Sequence, residues 1–207
     1  MDLAQRRAGR ATRPFPYAAV GIGCLVLASV VCWSSVLLLV MGQVVPAWAV
    51  GVTLSLIALV LLRVHVARAG SAVEQPLTLR QSSQRRFGYA LLSILAVGST
   101  AFSALGDLGA EYLVLRPTGP DGCTAVVRET AFLFAGSGEV YGVDGVDWVG
   151  STGVAWGPSG SWTADDGYRP VAAGTYELKW HRDGGTLLVS GTSADPVYPG
   201  LHDIDCG

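Results

Sequence analysis

Four groups of residues have types and spacings that could do chemistry. His181, His202, Asp203 and Asp205 could be assembled into a metal site or a catalytic triad, but they lack the H-x-x-x-H spacing of a helical metal pair. Ser159, in Gly157-Pro158-Ser159-Gly160-Ser161, lacks the final glycine of the G-x-S-x-G nucleophile turn. Asp144-Gly145-Val146-Asp147 and Asp165-Asp166-Gly167 resemble pieces of calcium loops. Calcium needs about six to eight oxygens, and the closing glutamate of an EF-hand is absent, so these read as turn carboxylates. Gly136-Ser137-Gly138 leads into strand, not helix, and no Walker A sequence occurs. The sequence therefore predicts no catalytic residue, no metal ligand and no cofactor, and points away from an enzyme.

The elements that would hold these residues differ sharply between the two halves of the chain. Residues 1–106 carry nine arginines, no lysine and two acids, and residues 107–207 carry five basic and fourteen acidic residues. Net charges of +7 and −9 within one 207-residue chain imply that its halves face different surroundings. Half of all residues are hydrophobic and 14% are charged, a low fraction for a soluble protein.

Three uncharged runs account for the imbalance: 17–41, 44–62 and 87–106. About 20 apolar residues in a helix span the ~30 Å hydrocarbon core of a bilayer, so each run predicts a transmembrane helix. The break at Gly42–Gln43 is so short that the first two runs are expected to form an antiparallel helical pair. The arginines lie in the leader, residues 1–16, and in the loop 63–86, and none lies at Gly42–Gln43. Cytoplasmic segments collect arginine, which puts the leader and this loop inside, at the plasma membrane, and residues 107–207 outside. The basic leader suits anionic lipid headgroups and has no aromatic interleaving that would suggest a nucleic acid.

Small residues recur on one face of two of these runs: Gly21, Cys24, Ala28, Cys32 and Ser35, then Ala96, Ser99, Ser103 and Gly106. In lipid such stripes let helices approach closely, and they could equally meet a partner's helix. No Asp, Glu, Lys, Arg or His falls within the runs, which argues against a self-sufficient pump or transporter.

The second half reads as all-β. Eighteen glycines separate short runs of β-formers: 112–115, 124–134, 139–143, 175–181 and 186–190, with weaker ones at 146–149 and 154–156. Tyr176, Leu178 and Trp180 alternate with Glu177, Lys179 and His181, and Asp183-Gly184-Gly185 supplies a turn, so a hairpin in a small sandwich or barrel is expected. Cys123 and Cys206 are the only cysteines of this half. Outside the cell they are expected to pair and fasten the tail to an early strand. Aromatics mostly fill small cores, but Trp156 and Trp162 flank a Gly-Pro-Ser-Gly loop and are the candidates for a contact surface.

The stretches 126–141, VVRETAFLFAGSGEVY, and 165–170, DDGYRP, resemble uncharacterised small membrane proteins of high-GC actinomycete bacteria. That resemblance implies a plasma-membrane setting and no particular activity. The expected protein is a non-enzymatic membrane protein that presents a disulfide-closed β domain to a protein or envelope partner. Two alternatives are a sensor or accessory subunit signalling through the basic loop 63–86, and an envelope-modifying enzyme.

Overall fold

The computed structural model describes residues 16–69, 79–144 and 152–206. The expected strand at 146–149, with Trp148, and all but the last residue of the leader lie outside these.

The helical part contains α1 (Tyr17–Trp33), α2 (Ala47–Ala69) and α3 (Leu79–Gly106). Within α2 and α3, Ala47–Arg68 and Phe87–Gly106 are each long and apolar enough to cross a membrane, while α1 is shorter at 17 residues. The first run therefore does not continue as helix to Met41. It leaves the helix at Ser34–Ser35 and becomes β1 (Leu37–Val40), which turns at Met41–Gly42 into β2 (Gln43–Val45). A continuous apolar stretch such as Leu37–Val40 has no period, so composition alone does not separate strand from helix there. The loop at 63–86 is also largely helical: α2 runs to Ala69 and α3 starts at Leu79.

α1 lies against α2 along its length. Gly21 meets Leu62 and the Ala58 carbonyl at one end, and Gly51 meets Cys32 at the other, so the two are antiparallel. Leu25, Ala58 and Ala96, one from each helix, form the bundle's small buried core. Trp33 lies near the end of α1, Trp48 at the start of α2 and Phe102 near the end of α3.

The β part is three stacked antiparallel sheets. The five-stranded central sheet has the order β10–β7–β5–β4–β3: β3 (Glu111–Val114), β4 (Thr124–Phe132), β5 (Ala135–Val143), β7 (Gly160–Asp165) and β10 (Val197–Tyr198). One face, with Ala125, Val127, Val140 and Trp162, packs on Leu187, Val189 and Ile204 of an outer sheet. That sheet is β11–β9–β8, built from β8 (Tyr176–His181), β9 (Gly184–Val189) and β11 (Leu201–Ile204). The other face, with Val126, Tyr141 and Val143, packs on Leu37, Leu39 and Ala155. These belong to the third sheet, β2–β1–β6, in which β6 (Thr152–Ala155) pairs with β1. The connection between α1 and α2 is thus woven into the β part. Period-two alternation explains both cores, because neighbouring residues of β4 and β5 serve opposite faces.

The β8–β9 hairpin has the expected pairing and alternation, with Tyr176, Leu178 and Trp180 half-buried and Glu177, Lys179 and His181 exposed. Its turn is one residue earlier than expected, at Arg182–Asp183, because Gly184 and Gly185 already pair within β9. Cys123 and Cys206 form the disulfide, with Cα atoms 5.9 Å apart.

Candidate functional site at the helix–sheet junction

A polar cavity of about 190 Å³ lies where the helices meet the central sheet, and Asp107, Tyr112, Arg128, Glu139 and Tyr141 line it with Ser103. Local structure explains each position. Asp107 is the first residue beyond α3. Tyr112, Arg128, Glu139 and Tyr141 lie on the helix-facing side of β3, β4 and β5, and Arg128 is register partner to both Tyr112 and Glu139.

The groups are bonded into one network. Arg128 donates from Nε to Asp107 Oδ1 at 2.8 Å, from Nη1 to Glu139 Oε2 at 3.3 Å, and from Nη2 to the Gly106 carbonyl at 2.7 Å. Asp107 also accepts from Tyr112 Oη at 2.8–2.9 Å and from Trp48 Nε1 at 3.0 Å. Tyr141 Oη donates to Glu139 Oε2 at 2.7 Å. The guanidinium meets an unpaired carbonyl at the negative end of the α3 dipole, a favourable place for a cation.

Burial pushes the phenols of Tyr112 and Tyr141 well above their ordinary range, with the neighbouring carboxylates Asp107 and Glu139 adding to it. Both phenols therefore stay protonated and act as donors. Burial alone would lower the affinity of Arg128 for its proton, but the bond to Asp107 and its charge outweigh this and raise it. Three of the guanidinium's five N–H groups are committed, and both Asp107 oxygens are occupied. These bonds tie the end of α3 to the central sheet.

A second acidic anchor lies on the opposite face of β4. Glu129 is fully buried and accepts from the backbone N–H groups of Val171 at 2.9 Å and Ala172 at 2.8 Å. Burial raises its carboxyl above the usual range, and the two backbone bonds oppose that shift.

The residues singled out from the sequence are distributed as follows. Trp162 is 2% exposed in the sandwich core and packs against His202 with the rings tilted and their centroids 5.2 Å apart, so it is not a contact residue. Trp156 is 84% exposed. His202 is buried and bonded to the Pro199 carbonyl at 3.0 Å, while His181 sits exposed at the β8–β9 turn, so the two do not form one site. Among the described residues, no three His, Cys, Asp or Glu side chains are grouped to hold a metal ion. Gly21 and Ala28 are buried in α1, and Cys24 packs on the bundle core. Cys32 Sγ lies 3.7 Å from Thr100 Oγ1 and 3.9 Å from the Ala47 carbonyl. Ser35 lies beyond the helix, so it is not a helix-packing residue. Ala96 and Ser99 are buried, Ser103 faces the cavity, and Gly106 is exposed, its carbonyl engaged by Arg128.

Sequence reasoning passed over Asp107, Arg128, Glu139 and Glu129. A usable signal was present: Arg128 and Glu129 are the two charged residues of an otherwise uncharged strand, and charge inside a strand core needs a partner. Compared with protein-family models, curated proteins and solved structures, the chain matches none.

Proposed function

We propose that the protein is a non-enzymatic integral membrane protein. Its helices cross the plasma membrane, and its disulfide-closed β domain is held outside, on the helix ends, to engage a protein or envelope partner. The observation that carries this reading is the Asp107–Arg128–Glu139 network. A domain that merely followed its anchor would need a linker; this one is bolted to the last carbonyl of α3 and to Trp48 of α2. The β1–β2 insertion between α1 and α2 is a second attachment.

Helix dimensions support the crossing. At 1.5 Å per residue, Trp48 to Arg68 spans about 30 Å and Phe87 to Gly106 about 28 Å. α1 reaches about 25 Å, at the lower limit for a span, and it lies antiparallel along α2. Trp33, Trp48 and Phe102 gather at the end nearest the sheets, and Tyr17 with Arg68 above its ring, 4.6 Å away, marks the other. Aromatics collect at both interfaces of a bilayer and arginines on its cytoplasmic side, which orients the β domain outward. Photo-crosslinkers at the exposed positions Glu177 and Tyr198, activated in whole membranes, test the display role. A discrete product with an envelope component is expected; no product from any outer position counts against it.

A further inference from the structure

We propose that the β4–β5 hairpin tip, Phe132-Leu133-Phe134, is seated in the outer leaflet of the bilayer that the chain's own helices cross. This rests on the membrane-spanning reading above and adds a second lipid contact made by the β domain itself.

The three tip side chains are 76%, 77% and 79% exposed, although each is large and apolar. The run from Ala131 to Gly136 carries no charge. An apolar cluster of this kind on a protein surface marks an interaction site.

Its place in the fold identifies the occupant. β3 starts at Glu111, a few residues after α3 ends, and Glu111 pairs with Glu129 near the end of β4. A Cβ on Gly109 would stand 3.7 Å from the Ala131 carbonyl, so the tip adjoins the exit of α3. Leu108, in that exit, is itself 69% exposed. Trp156 follows Ala155, which pairs with Leu37 just after α1 ends. The tip and Trp156 are thus at the end of the β domain from which the helices leave. By contrast, the exposed face of the outer sheet intersperses Leu188 and Leu201 with the polar side chains of Glu177, Lys179, His181 and Asp203.

Backbone bonding also suits lipid, where an unpaired amide is costly. The β4–β5 ladder pairs as far as Phe132 with Ala135, leaving a loop of only Leu133 and Phe134. Leu133 makes the turn at φ 55°, and Gly167 packs beneath its carbonyl. Asp165, partner of Ala135, and Asp166 stand on the neighbouring turn and limit insertion to the interfacial zone.

Site-directed spin labelling of the full chain tests this. Cys24 and Cys32 are replaced by alanine, the disulfide is kept, and the protein is reconstituted in phosphatidylcholine–phosphatidylglycerol vesicles. Single labels are placed by Leu133→Cys, Phe134→Cys, Leu59→Cys on the exposed side of α2, and Lys179→Cys on the outer sheet. Accessibility to oxygen and to a water-soluble nickel chelate is then read. The proposal expects the 133 and 134 labels to favour oxygen, as the 59 label does, and the 179 label to favour nickel. Labels at 133 and 134 in water, with 59 in lipid, overturn the hairpin anchor while leaving the spanning helices intact. Labels at 133 and 134 shielded from both reagents mean a protein contact and also overturn it. A 59 label in water removes the spanning reading, and the anchor with it.

Discussion

Arg128 contacts three acceptors from one guanidinium, and they belong to two parts of the molecule: the Gly106 carbonyl and Asp107 at the end of α3, and Glu139 on β5. Arg128→Ala leaves two carboxylates partly buried without their cation. Hydrogen bonds to charged groups are worth about 1.5–3 kcal/mol each, so a loss of at least about 2 kcal/mol in unfolding free energy is expected, read by thermal denaturation in nanodiscs. Arg128→Lys restores charge but not the fork, and recovers only part of it. His202 gives a pH signature. Burial holds its folded-state pKa below the ordinary 6.5, with the Pro199 carbonyl and Asp203 opposing that shift. The unfolded chain therefore takes up the proton first. Its contribution is complete above about pH 6.5 and is lost as pH falls toward the folded-state value. His202→Phe, which keeps a ring on Trp162, is expected to flatten the decline in melting temperature between pH 7 and 5.

Among the elements, the α1–α2 contact depends on glycine. A Cβ on Gly51 would stand 2.5 Å from Cys32 Sγ and 3.1 Å from Thr100 Oγ1, whereas one on Gly98 meets nothing within 4 Å. Gly51→Leu is expected to cost about 1–3 kcal/mol by overpacking. Gly98→Ala is expected to be neutral or to add roughly 0.5–1 kcal/mol. Parallel melting curves compare them. What was legible in the sequence follows from periodicity. β8 alternates cleanly, and β3, β4 and β5 are bounded by glycine or polar breaks, so they could be read within a few residues. β7 alternates too, with Trp162 and Ala164 inward, but Gly160 and Ser161 disguise its start. β10 and β11 are short segments held by tertiary pairing to β7 and β9, and local sequence carries little trace of that. Leu37–Val40 was misleading because it is apolar on both faces. The charged junction was hidden for a related reason: Asp107, Arg128 and Glu139 are far apart in the chain, and only the strand register brings them together.

For the molecule as a whole, two closures shape the β domain. One is the junction network, and the other is the disulfide across a sequence separation of 83 residues. Chain-entropy arithmetic for such a loop gives about 4–5 kcal/mol. Cys123→Ser with Cys206→Ser is therefore expected to lower domain stability by up to that amount while the helices still insert, measured by denaturant unfolding of the tryptophan signal. On the proposed topology, the opposite charges of the two halves would correspond to arginines on the cytoplasmic side and a carboxylate-rich domain beyond the bilayer. The most direct test is a membrane-impermeant maleimide applied to intact spheroplasts that express Lys179→Cys on the exposed face of β8. The account predicts full labelling before lysis; labelling that occurs only after the membrane is opened would contradict it.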